Sequence, residues 1–492
     1  MARNGEMSAC RWHRLGAVVV LLLAIGCAGA SVRSEPQAAP ASEKARTIDL
    51  RRATAQRVSE TIGVYGDPDL ASYVSQLGLA VAQEGGPEVP WEFRIVDSPV
   101  VNGFALPGGF IYLTRGLLAH LNSEAAPVGV LSHEIAHLAA GHVRHQLSAS
   151  GSAGCDGEAV PLLDPEARLF GGGADRGLEL LFLRFSEAEE REAREVAARS
   201  SRAAGYEPRE IEDFLETLEG CGRPQPGEIP SWLDTHPSSR DPAEPAAESA
   251  APSVPLRIGE DEYKRRIENL VYGKDPREGF LEGSRFQHPE LQFQIDLPPG
   301  WEIRNRRRSI TAASPDQSAA LELTVSCLHP GTGALGHALA FFQKNQLGQG
   351  TGEAVRIGPF PAYRAPVRLK GSLRDLRGEA GVILDGGYAI EVLGLAPSTE
   401  YRRYRSTFLN VIRSVARWRE SPGREARPMR LSLFRVPGRM SLKEALSRAG
   451  VSPEMSREIA SLNHCGLEQW VDAGELLKVV ACPSEGGGEN EP

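Results

Sequence analysis

VLSHEIAHLAAGHVRHQ, residues 130–146, carries four histidines and one acidic residue in seventeen positions. At about 100° per residue of helix, His133 and His137 stand on one face one turn apart, close enough for both imidazoles to meet a single metal ion. On a continuous helix His142, nine positions past His133, falls on roughly the opposite side. His145 lies about 12 Å along the axis from His137. Neither is expected to share that ion. Ser123 suits the N-cap, with Glu124 behind it to meet the helix dipole, and Pro127 falls in the first turn. Val130, Leu131, Ile135, Ala136 and Leu138 surround the pair and predict a buried helix, in which two unpartnered imidazoles would be costly.

Glu134 completes H-E-x-x-H, in which two histidines hold zinc and the glutamate acts as general base on the attacking water. Zinc hydrolases keep three protein ligands and one open position, so a third ligand is required. The strongly helical segment FSEAEEREAREVAARSSRAAGYEP, residues 185–208, offers Glu187, Glu189, Glu190, Glu192 and Glu195, and composition does not choose among them.

The chain has 492 residues, 41 % hydrophobic and 24 % charged, which describes globular material too long for one core and predicts two to four domains. A formal net charge of −9 argues against a nucleic-acid partner, whose phosphates ask for a basic surface. Arg3, Arg11 and Arg14 precede an apolar run from Ala17 to Ile25, the layout of a secretory signal over residues 1–30. AIGC resembles a lipobox with Cys27 as the lipidated residue, so a lipid anchor is expected, followed by a polar tether over 31–45. Export leaves Cys155, Cys221, Cys327, Cys465 and Cys482, with Cys465–Cys482 the favoured disulfide and Cys155–Cys221 a second pairing. A Gly-rich stretch over 151–175 reads as a long loop able to cover a cleft. From Gly283 to Trp418 apolar and polar residues alternate as in half-buried strands, with GALGHALAFFQKNQL and STEYRRYRSTFLNVIRSVARW as helices. The last stretch, 428–482, reads strand, helix, helix, strand.

The pieces VNGFALPGGFIYLTRGLL, NSEAAPVGVLSHEIAHLAAGH, FSEAEEREAREVAARSSRAAGYEP and DTHP, in this order, resemble the HtpX- and BepA-like zinc metallopeptidases, relatives of the CAAX prenyl proteases. The resemblance implies Glu190 as third ligand and GGFIYLT as an edge strand pairing with extended substrate. It also implies Asn102, Phe104, Gly108 and Gly109 near the cleft, and His236 on a loop beside the metal. His236 would stabilise an oxyanion or fill the open position and silence the site. Two departures stand out. Arg194 replaces an Asp that would orient a zinc-bound histidine, and could instead pair with Glu190 at i,i+4. Pro242 replaces an Arg after the HP dipeptide. Residues 276–420 resemble a PsbP/DcrB-like domain, and 428–482 a LysM-like module in which Arg439 and Met440 replace the usual Asp-Thr.

The expected architecture is therefore multidomain α+β. A mainly helical gluzincin-type metallopeptidase domain with a small edge-strand sheet, residues 46–275, precedes the α+β PsbP-like domain and a small βααβ module. The expected function is a zinc-dependent metalloendopeptidase of the bacterial envelope, periplasmic and held at the outer membrane by its lipid. Its substrates would be unfolded or mislocalised proteins, and the last module would contact peptidoglycan. The rivals are a weakened or inactive zinc-binding relative acting as chaperone or assembly factor, and a cell-wall binding protein. His288, His329, His337 and His464 are expected to be structural.

Overall fold

In the computed structural model the residues described are 55–56, 58–59, 63–149, 184–218, 231–236, 255–305, 309–328, 331–370, 374–419 and 426–481. The signal segment with Cys27, the tether, the 151–175 loop, Pro242, His329, Cys155, Cys221 and Cys482 lie outside them. No helix of the described residues is long and apolar enough to cross a membrane.

The N-terminal region is built from α1 (Pro68–Gly85), β1 (Glu92–Val96), β2 (Gly103–Leu106), β3 (Phe110–Thr114), α2 (Arg115–His120), α3 (Ala125–Ala139), α4 (His142–Ala149), α5 (Glu187–Ala203), α6 (Glu210–Thr217), α7 (Trp232–Thr235) and α8 (Glu260–Arg266). Every residue of α3 from Ala125 to His137 is buried. A helix covered on all sides is a central strut. Ser123 Oγ accepts the Ala126 N–H at 3.2 Å, the capping contact its position predicts. Small residues on α5, Ala193, Ala197, Ser200 and Ser201, let it lie close against α3, where Ser201 Oγ donates to Ser132 Oγ at 3.0 Å.

The sheet corrects one expectation. Its order is β1-β3-β2, with β1 parallel and β2 antiparallel to β3, so GGFIYLT forms the central strand and GFAL is an edge. The parallel β1 contact supplies the pairing that local sequence does not announce. Gly108 and Gly109, at φ 93° and 87°, make the β2–β3 turn, and a Cβ on Gly109 would press on the Pro90 carbonyl. Alternation sends Phe104 with Leu106 into a satellite core beside Val58, Val96, Phe110 and Tyr112. Phe104 stacks on Tyr112 at 5.0 Å within that satellite core.

The middle region carries β4 (Phe280–Glu282), β5 (Arg285–His288), β6 (Phe293–Asp296), β7 (Glu302–Asn305), β8 (Ser309–Ala313), β9 (Ala320–Cys327), α9 (Ala334–Lys344), β10 (Gly348–Gln349), β11 (Glu353–Ile357), β12 (Phe360–Lys370), β13 (Asp375–Asp385), β14 (Tyr388–Pro397), α10 (Tyr401–Arg413) and β15 (Ala416–Arg417). An antiparallel sheet of order β10-β12-β13-β14-β9-β8-β7, with β11 on β12, packs α10 on one face and α9 on the other. A four-stranded sheet, β15-β6-β5-β4, joins the α10 side.

The last region has β16 (Arg430–Arg435), β17 (Met440–Ser441), α11 (Leu442–Arg448), α12 (Ser456–Leu462), β18 (Trp470–Val471) and β19 (Leu476–Ala481), with β16 pairing β19 and β17 pairing β18. Its apolar residues share one core with the N-terminal region, Leu446 and Leu462 lying in the same cluster as Leu117 and Tyr263. Among the described residues Cys465 is a free, half-buried thiol and Cys327 is free and exposed.

Candidate metal centre and active site

Four side chains from three separate segments meet at one point. His133 and His137 come from α3, Glu190 from the first turns of α5, and His236 from the residue that ends α7. One donor atom of each lies within 4.8 Å of all the others. They are buried, with exposures of 2 % for His133 and 0 % for both His137 and Glu190. His133 Nε2 and His137 Nε2 are 3.0 Å apart, and Glu190 sets one oxygen 3.5 Å from His133 Nε2 and the other 3.6 Å from His137 Nε2. The last two separations are too long for hydrogen bonds, and both Glu190 oxygens are buried without a hydrogen-bond partner. They match the edge of a tetrahedron whose arms are metal–ligand bonds of about 2.1 Å, roughly 3.4 Å. A divalent cation fits these residues; nitrogen and carboxylate donors are those zinc takes.

The electrostatics agree. Burial holds the His137 imidazole down to about 4, with the His133 neighbour helping, so it stays neutral as a ligand must. Burial likewise holds His236 well below the histidine range. Burial resists ionisation of Glu190, but the imidazoles of His133 and His137 outweigh it and keep the carboxyl well below its usual range. Glu134 is 1 % exposed and stands beside the cluster, Oε1 lying 3.5 Å from His236 Nε2. Burial first, then the Glu190 charge, push its carboxyl up to about 8, with the Ala105 backbone amide on β2 pulling it back. A cation at the cluster opposes that rise and favours the base form.

Among the five glutamates, the fold separates Glu189 and Glu190 by the way they face. Glu189 forms the capping box with Ser186 and faces His145 and Gln146. Glu190 turns inward on the face that carries Ala193 and Ala197. Arg194 is felt by Glu212, at the start of α6, instead of pairing with Glu190. Asn102 Oδ1 accepts the Gly103 N–H at 2.8 Å and the Thr235 hydroxyl at 3.5 Å, tying the start of β2 to the segment that delivers His236. Thr235 Oγ1 lies 2.9 Å from His236 Nδ1, and Trp232 stacks on the same ring at 4.2 Å.

The sequence reading missed His142. Helix α3 ends at Ala139, and Gly141 at φ 78° turns the chain before α4. This turn brings His142 Nδ1 to 3.1 Å from His137 Nδ1. It stays outside the ligand cluster, as expected, but touches a ligand. The Gly after LAA was the available signal for a helix stop.

Residues 68–244 match the family model for Peptidase family M48. The mitochondrial metalloendopeptidase OMA1 of Schizosaccharomyces pombe is 29 % identical over 203 residues, covering 39 % of this chain and 59 % of that protein. The β-barrel assembly-enhancing protease of Yersinia pestis is 27 % identical over 180 residues, covering 35 % and 37 %. The chain thus spans 37–59 % of the length of these relatives. A cyanobacterial PsbP from Synechocystis aligns with 28 % of this chain and 95 % of its own at 14 % identity, with a TM-score of 0.25. Residues 68–244 are similar to the M48 peptidases, and the buried His/His/Glu/His cluster they contain is a site of zinc type.

Proposed function

We propose that the chain is a zinc-dependent metalloendopeptidase of the bacterial cell envelope that cuts unfolded or mislocalised proteins. The convergence of His133, His137 and Glu190, with Glu134 beside them, carries this reading. His133, His137 and Glu190 would hold the zinc, which supplies Lewis acidity toward a carbonyl and acidifies a water at neutral pH. Glu134 takes a proton from the attacking water at its carboxylate and passes it to the leaving amine. An extended substrate adds to the outer edge of β2, and Asn102 keeps that strand aligned with the His236 segment. The names of the β-barrel assembly-enhancing relatives support an envelope setting. In this reading the chain is periplasmic, with Cys27 of the lipobox-like AIGC as its outer-membrane lipid anchor. In the same reading residues 276–420 are PsbP/DcrB-like and residues 428–482 a LysM-like module that contacts peptidoglycan.

A second reading draws on His236, whose place among the donors suits a fourth ligand that closes the site. Cleavage of unfolded casein by the full chain, with zinc measured by mass spectrometry, tests both. Wild type should cleave, and Glu134→Gln should lose at least about 10³-fold in rate while keeping zinc. Equal absence of cleavage with zinc in both proteins overturns the peptidase reading in favour of an inactive relative. His236→Ala should raise cleavage if the ring closes the site and lower it if the ring assists.

A further inference from the structure

The row of contacts that begins at His137 continues outward past the ligand cluster. His137 turns Nε2 to His133 and Glu190, which leaves Nδ1 on the far side of the ring. Nδ1 of His137 lies 3.1 Å from Nδ1 of His142, and Nε2 of His142 lies 3.3 Å from Glu192 Oε2. A neutral imidazole carries one proton, and a ring that gives its Nε2 lone pair to a metal must hold that proton on Nδ1. His137 therefore donates from Nδ1, His142 accepts at its own Nδ1, and the His142 proton sits on Nε2 facing a carboxylate. The reverse assignment would place a proton on His137 Nε2 and bar it from the metal. One set of tautomers satisfies the whole row.

We propose that His142, itself oriented by Glu192, is a positioning residue that fixes the tautomer and ring angle of the zinc ligand His137. The scaffold is built for this. Gly141 makes the turn, and α4 is held to α5 by His145 Nδ1 at 3.2 Å and Gln146 Nε2 at 3.1 Å from the Glu189 carboxylate. Phe185 covers the other side of His137, ring centres 3.7 Å apart. The carboxylate that the sequence lacks at Arg194 enters two residues earlier on the same helix, with His142 spanning the gap. Histidine ligands commonly hand their second nitrogen to such a partner, and its loss costs about 10- to 100-fold in metal affinity. The inference rests on the cluster being a zinc centre.

The test is zinc affinity of the full chain by chelator competition, with the absorption spectrum of the cobalt(II)-substituted protein as a second readout. His142→Ala should weaken zinc about 10- to 100-fold and alter the cobalt bands, and His142→Gln, whose carbonyl can accept from His137, should recover most of the loss. Glu192→Gln should cost several-fold in the wild-type background and nothing further beside His142→Ala, because it acts only through that ring. The proposal is overturned if His142→Ala binds zinc within twofold of wild type with an unchanged spectrum. It is equally overturned if Glu192→Gln costs as much with His142 absent. Should His142→Ala not fold, His142→Gln and Glu192→Gln decide alone: the proposal stands on a several-fold loss in Glu192→Gln that His142→Gln does not share in full, and falls if Glu192→Gln binds as wild type. Wild type that takes up no zinc sinks the zinc reading itself, whereas zinc uptake indifferent to His142 sinks only this inference.

Discussion

Two groups of polar atoms, each centred on a fully buried charged side chain, are treated in opposite ways in this chain. At the metal centre both Glu190 oxygens and Glu134 Oε1 are buried with no hydrogen bond. Where the last region meets the N-terminal one, Lys478 is 0 % exposed, yet its ammonium donates to the Ala119 carbonyl at 2.6 Å and the Leu121 carbonyl at 2.9 Å. His464 Nε2 reaches the His120 carbonyl between them at 2.8 Å, and Asn122 Nδ2 donates to the Leu462 carbonyl. The carbonyls at the end of α2, orphaned by helix geometry, are capped by another part of the chain. The middle region holds a half-buried group that closes in the same way: His337 Nε2 and Ser326 Oγ lie 2.8 and 2.7 Å from Glu391 Oε1, and Thr324 donates to Glu391 Oε2. Buried polar groups that close on one another hold a fold together. A group that converges without closing is built around something else.

Metal removal should therefore separate the two most sharply. Stripping zinc with a chelator should cost wild type about 4 kcal/mol when free zinc had stood a thousandfold above its dissociation constant, read as a fall in thermal midpoint. Glu190→Ala should show no such difference between stripped and zinc-supplemented samples, and its peptidase rate should drop at least about 10³-fold. A zinc-dependent midpoint that survives Glu190→Ala would mean the ion sits elsewhere.

Lys478→Met acts on the closed group and should behave in the contrary way. It leaves the Ala119 and Leu121 carbonyls buried without their donor, at a cost of about 3 kcal/mol in urea unfolding. The loss should be the same with and without zinc. A loss that vanishes on zinc loading would show that the module supports the metal centre and not the fold.

How much of this was readable follows from the range over which each feature is determined. The His133–His137 pair and Glu134 lie within five residues of one helix, so the period alone aligns them. Glu190 was not selectable by composition, because its four neighbours differ only in which way they face. A capping box spends Glu189, and α3 packs against the face that carries Glu190. His142 was misplaced by assuming one continuous helix, when a single left-handed glycine ended it. The order of the small sheet hangs on the parallel β1–β3 pairing. Lys478 is the one polar residue in the apolar run LLKVV. Its partners are more than 350 residues away in sequence, and nothing local announces them.

The smallest effect concerns acid. Burial holds the rings of His120 and His464 down to about 4 in the fold, with the neighbouring Lys478 charge adding to it, against an unfolded value of 6.5. A neutral ring favoured by the fold contributes in full above pH 6.5, and that contribution drains away as pH falls toward 4, because the unfolded chain takes up the proton first. Urea midpoints should therefore fall between pH 7 and 4.5. The buried rings of His137, His236 and His288 add to the same fall, so the informative quantity is the difference between two chains that share them. His464 stands at φ 54°, a conformation asparagine tolerates, which makes His464→Asn the suitable variant. It should be somewhat less stable than wild type at pH 7 and lose about 2 kcal/mol less on going to pH 4.5. Parallel pH curves for the two proteins would mean that this ring titrates alike in folded and unfolded chains, and that the seam between the regions is wetter than its hydrogen bonds indicate.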